Sequence, residues 1–181
     1  MNLDAIHGLT QPDQRSCGPS SLVAAHMVLD PAYRPASFSR EVLDLHRSLT
    51  SASYAGRAQL PWPRALGTPP WAVAHAMQSY AGVPYRTRVV RLGSHDTVFS
   101  AVVAALADGR PCPLYVGSTW LPRHVVLAVE PSPQGVLVYN PGRGSINELT
   151  RESFVAGALK IFGRWTHPWF VVLPGEEGRQ A

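Results

Sequence analysis

The order of apolar and polar positions changes character near residue 110. Before it, the runs are long and helical. Small apolar residues from Cys17 through SSLVAAHMVL predict a helix over 17–29, with Gly18-Pro19 in its first turn and Asp30-Pro31 at its end. FSREVLDLHRSL repeats at helical spacing and predicts a second helix over 38–49, with Ser37 or Ser39 as its cap. Residues 50–67 hold turn formers without periodicity and read as loop. Thr68 is the expected cap of a third helix, closed by Gly82, and Ser94 of a fourth, closed by Gly109. Between these two helices YRTRVVRL, 85–92, alternates as a strand does. Past 110 the runs shorten to PCPLYVG, HVVLAVE, GVLVYNP and WFVVLP, β-branched segments set apart by Pro/Gly turns. Pro133-Gln134-Gly135 predicts the turn of a hairpin joining the second of these to the third. One more helix is expected over 150–159.

Helices first and strands second predict an α+β fold with segregated layers. The expected organisation is one domain over 1–175, with a helical half over about 1–110, a sheet half over about 111–175 and a flexible tail at 176–181. Composition agrees with a packed core: 45% of residues are hydrophobic and 15% charged. The formal charge is +4, yet Lys160 is the only lysine and the arginines are scattered, so a nucleic-acid partner is not expected. The N-terminus has no basic region leading into an apolar stretch, and no apolar window is long enough to span a bilayer. These features predict a cytoplasmic chain without a membrane span, leaving export by an unsignalled route open. Two cysteines exclude a disulfide framework.

The chemistry concentrates around QPDQRSCGPSSLVAA. Cys17 stands where a loop becomes a helix. A helix N-terminus offers unpaired N–H groups and partial positive charge, which stabilise a thiolate and lower its pKa. When that sulfur attacks a carbonyl, the new oxyanion lies near the N–H of Cys17. Gln11, six residues upstream, is placed to fold back as a second donor. Gln14 competes, with less chain to fold. His124 opens an apolar strand and is the candidate base. Asn140 closes the next strand, where its amide oxygen can fix the imidazole, although Asn-Pro-Gly is also an ordinary turn. Cys112 between two prolines reads as a buried small residue. The remaining histidines show no ligand spacing, so no metal is expected. Trp62 and Trp71 read as packing or as walls of a groove, and Gly18 and Trp120 as candidate substrate contacts.

Gln11, Cys17-Gly18-Pro19, His124-Val125-Val126 and Asn140-Pro141 resemble the papain-like cysteine peptidases, and most closely the bacteriocin-processing family that cuts after double-glycine leaders, with its stand-alone relatives. That family has Asp where this chain has Asn140. The resemblance implies a papain-like fold, hydrolysis of a peptide or isopeptide bond through a Cys17 thioester, a peptide or protein substrate, and no cofactor. The same residues also suit a deamidase, a transglutaminase, a cell-wall amidase or a toxin. A silent module that binds a peptide or partner is the reading of a different class.

Overall fold

The computed structural model describes residues 3–175, so the expected tail lies outside the described residues. Among the described residues there are five α-helices: α1 (Cys17–Leu29), α2 (Phe38–Leu49), α3 (Pro70–Ala81), α4 (His95–Ala107) and α5 (Arg151–Val155). Eight strands accompany them: β1 (Ser53–Tyr54), β2 (Arg57–Ala58), β3 (Tyr85–Val89), β4 (Cys112–Gly117), β5 (Pro122–Ser132), β6 (Gly135–Asn140), β7 (Ser145–Thr150) and β8 (His167–Pro174). β1 and β2 pair as a small ribbon inside the stretch expected to be loop. The other six form one antiparallel sheet in the order β3-β8-β4-β5-β6-β7.

The α+β class is as expected, but the layers do not follow the two halves of the chain. β3 belongs to the early part of the sequence and forms one edge of the sheet. Helices cover both sheet faces. α1 and α3 pack on the face that carries Tyr115, Val125, Leu127, Val129 and Val172. α4 and α5 pack on the opposite face, over Leu114, Val116, Val126 and Val138. The strict alternation of VVLAV in β5 supplies both cores, odd positions to one side and even positions to the other.

Local chemistry sets most boundaries. Ser37, Ser94 and Thr150 each accept a backbone N–H three residues on, which starts α2, α4 and α5. α3 differs from expectation. It begins at Pro70 with Pro69 as its N-cap, while Thr68 is buried against α1. β3 stops at Val89 because the N–H groups of Val90 and Arg91 both turn to Trp169 O. The last helix ends at Val155, short of 159, and a 3-10 turn over Lys160–Phe162 follows. β7, absent from the sequence reading, has polar alternating residues and an edge position.

The N-terminal segment is strapped to the β6–β7 end of the sheet. Gly8 N donates to Gly144 O at 2.7 Å, and Gln11 N to Pro141 O at 2.8 Å. The Tyr139 hydroxyl donates to Leu9 O at 2.7 Å. Removing that hydroxyl alone, in Tyr139→Phe, is expected to cost about 1 kcal/mol and lower Tm by about 2–4 °C. Thermal unfolding of the two proteins checks this, and an unchanged Tm would mean the strap adds nothing to stability.

Candidate active site

α1 starts in an unusual way. Its N-cap, Ser16, makes no side-chain cap bond, because its hydroxyl turns back to Asp13 O at 3.2 Å. Of the first four helical residues, Pro19 has no N–H and Ser20 N is taken by Ser16 O at 2.9 Å. The amides of Cys17 and Gly18 remain, and both are directed at the Cys17 sulfur. The N–H of Val125 in β5 approaches the same sulfur from across the interface. α1 can come this close because its facing residues are small, and the Ser21 hydroxyl donates to Val125 O at 3.3 Å.

Gly18 is where the 64–70 loop presses on the helix. A Cβ there would stand 2.9 Å from Thr68 Cβ. Thr68 is fixed in turn by the Tyr115 hydroxyl, which donates to its carbonyl oxygen at 2.9 Å. Gly18 therefore shapes the wall beside the thiol and lines neither hollow described below.

His124 follows Pro122 and Arg123 in β5, beside a bulge in its pairing with β4. Its Nε2 lies 2.8 Å from Asn140 Oδ1. The same Oδ1 accepts Gly142 N at 3.0 Å, which identifies it as the oxygen of the amide. An oxygen can only accept, so Nε2 carries the ring proton. In the neutral ring Nδ1 is then the free base. Gly142 lies against the ring as well: a Cβ there would come within 3.4 Å of His124 Cε1. This position was not singled out in the sequence, because glycine in Asn-Pro-Gly reads as turn chemistry.

Cys17 and His124 line one hollow of about 750 Å³, whose other walls include Trp62, Trp71, Tyr115 and Phe170. His124 and Asn140 also line an adjoining hollow of about 610 Å³ together with Gln11. Gln14 lines both. The Gln11 amide nitrogen donates to Asp13 O at 2.6 Å, and its Oε1 is buried without a partner. Gln11 thus sits beside His124 and Asn140, while Gln14 shares the hollow that contains the thiol. Trp120, expected at the groove, is 82% exposed in the β4–β5 turn and lines neither hollow. Trp62 and Trp71 do line the groove, packed edge to face at 5.2 Å.

The expected low thiol pKa is corrected by burial. Desolvation pushes Cys17 up, the N–H groups of Val125, Gly18 and Cys17 pull it down, and the net shift is upward. Asp13 adds to the rise. Burial works against its charge, but bonds from Arg15 N–H and Ser16 hold its carboxyl below the ordinary value. His124 is pushed below its ordinary 6.5 by burial, against the opposing bond to Asn140. Burial thus acts against the charged form of both side chains. Cys112 lies in the core on the opposite sheet face, and burial pushes its thiol up strongly. Among the described residues no cluster of three or more His, Cys, Asp or Glu is placed to hold a metal ion, and no helix is long and apolar enough to cross a membrane.

No protein-family model and no curated protein matches the sequence. Solved structures do match its fold. A C39-like peptidase from Bacillus anthracis superposes with a TM-score of 0.55 at 11% identity, over 92% of this chain and 93% of that one. A double-glycine-motif protease from an AMS/PCAT transporter, in complex with the leader peptide, gives 0.53 at 12% identity, over 92% and 90%. The peptidase domain of Streptococcus ComA, a bi-functional ABC transporter involved in quorum sensing, gives 0.51 at 14% identity, over 92% and 97%. Helices on a large antiparallel sheet, in the arrangement of these domains, give this chain the papain-like peptidase fold.

Proposed function

We propose that the chain is a cysteine peptidase that hydrolyses a peptide or isopeptide bond through a thioester on Cys17. The observation that carries this reading is the 2.8 Å bond from His124 Nε2 to an Asn140 oxygen already held by Gly142 N–H, which leaves Nδ1 free as a base beside the thiol's hollow. His124 Nδ1 takes the thiol proton as Sγ attacks the carbonyl carbon. The oxyanion is met by the uncapped N–H of Cys17 and by a side-chain amide from the 11–14 loop. His124 passes its proton to the leaving amine. A water, deprotonated by His124, then attacks the thioester, releases the carboxylate and restores the thiol. Asn140 orients the ring throughout.

Starting from a neutral pair, the proton moves only when a substrate is in place. The pH profile distinguishes this from a preformed thiolate–imidazolium pair. His124 works as a base only when unprotonated, and its pKa lies below 6.5. kcat/KM should therefore hold through pH 6.5 and fall only as pH drops through that lowered value. On the alkaline side the thiol ionises above its ordinary 9.0, and His124 is already neutral. No descending limb is expected between pH 7 and 9. A bell with a falling limb near 8 would instead identify the ion pair and overturn the neutral assignment.

Cys17→Ala should abolish turnover of a quenched peptide library while leaving the circular dichroism spectrum and Tm close to wild type. Retained turnover would remove Cys17 from the chemistry. The two glutamines separate by their kinetics. Gln11→Ala should lower kcat by about 10²–10³ with KM little changed, since an oxyanion donor acts in the transition state. If Gln14→Ala takes that loss and Gln11→Ala does not, the donor is the side chain that shares the thiol's hollow.

A further inference from the structure

The two hollows form one groove. They share Gln14, Arg123, His124, Arg164 and Trp165. Its ends differ in chemistry. Beyond Cys17 the walls add the rings of Trp62, Trp71, Tyr115 and Phe170, with Arg15 among them. Beyond His124 and Asn140 the lining adds Arg143 and the Gln11 amide to the shared Arg123, Arg164 and Gln14, and neither hollow is lined by an Asp or Glu.

The three arginines come from separate elements: β5, the β6–β7 turn and the loop before β8. Arg143 reaches across to that loop, its Nη2 lying 3.9 Å from where a Cβ on Gly163 would be. Arg164 is laid over the Trp165 ring, 4.5 Å from its centroid. Among the described residues the side-chain ion pairs are Arg47–Asp44 and Arg151–Asp96, and none of the three arginines belongs to either. Cations gathered round a concave surface whose lining holds no carboxylate repel one another, and an anionic ligand relieves that repulsion. Guanidinium groups match carboxylates in two-point geometry.

We propose that the end of the groove beside His124 and Asn140 is a carboxylate-binding subsite. It selects peptides that carry a carboxylate to one side of the attacked bond and a bulky apolar side chain to the other. This specificity rests on the peptidase reading of the Cys17 site. An extended peptide is the ligand that touches both ends of the groove. The carboxylate comes either from an Asp or Glu side chain or from a free C-terminus, and both present the same fork to the arginines.

The test uses three hexapeptides of one sequence with a central Phe: one with two Glu and an amidated end, one with Gln for Glu and an amidated end, and one with Gln and a free C-terminal carboxylate. Binding to the wild-type chain is read from tryptophan fluorescence, which needs no reaction at the thiol. The Glu peptide or the free-acid peptide should bind at least about 3-fold tighter than the neutral one, the scale of an exposed charge pair. Which of the two does so names the source of the carboxylate. Arg143→Gln and Arg164→Gln, both exposed substitutions, should each erase about that factor for the acidic peptide and leave the neutral peptide unchanged. Rising salt should act likewise. Equal affinity of all three peptides for the wild type, or variants that weaken all three alike, overturns the subsite, as does inorganic phosphate displacing the acidic peptide at equal concentration. Iodoacetamide labelling of Cys17 against Cys112 is followed in the same samples. Labelling of Cys17 no faster than Cys112 counts against the peptidase reading alone, since the fluorescence titration stands without it.

Discussion

The close seating of α1 on β5 is the contact on which the site depends. It needs three things at once: small residues along the helix, a helix start that leaves two amides unused, and a strand whose backbone can meet both. The sequence Cys-Gly-Pro-Ser-Ser meets the first two. Gly18 admits Thr68, Pro19 removes a competing donor, and Ser21 reaches Val125 O. Val125 then presents its N–H to the sulfur while its neighbour His124 carries the ring. A bulkier first turn would move the thiol away from the strand that carries His124.

The same closeness explains the electrostatics. A helix end favours a thiolate, and that influence is local, so it can be read from the position of Cys17 in the chain. Burial favours the neutral thiol, and it arises from strands and loops more than fifty residues away. Here burial prevails, which is why the expectation of a low pKa failed although the helix itself starts at Cys17 as foreseen. The aromatic rings of Trp62, Trp71 and Phe170 lie on the thiol's side of the groove, Arg143 and the Gln11 amide on the other, and Arg123, Arg164 and Gln14 are common to both.

What was legible in the sequence had local causes. α1 and α2 run over the residues expected because caps, Gly-Pro and Asp-Pro punctuate them. The β5–β6 hairpin follows from its turn. The pairing of His124 with Asn140 was readable because a hairpin brings the start of one strand and the end of the next to the same end of the sheet. β7 was not legible: SINELT is polar, and a sheet edge asks for little hydrophobicity. Thr68 looked like a cap because capping and buried packing use the same residue type. The role of Gly142 depends on the imidazole beneath it, and the arginines lie some twenty residues apart, so their gathering exists only in the fold.

The strap between residues 8–11 and the β6–β7 turn has a consequence for the order of assembly. Tyr139 and Leu9 are separated by 130 positions, so their contact closes a loop that spans most of the described chain. During synthesis from the N-terminus, helices α1 and α2 can form early from local signals. The loop that carries Gln11 has nothing to bind until Asn140, Pro141 and Gly144 have been made and the hairpin has formed. A nascent chain halted before that hairpin would display Cys17 on its helix without His124, Asn140 or the strap. Chain growth itself therefore keeps Cys17 apart from the groove's other wall until the greater part of the described chain exists.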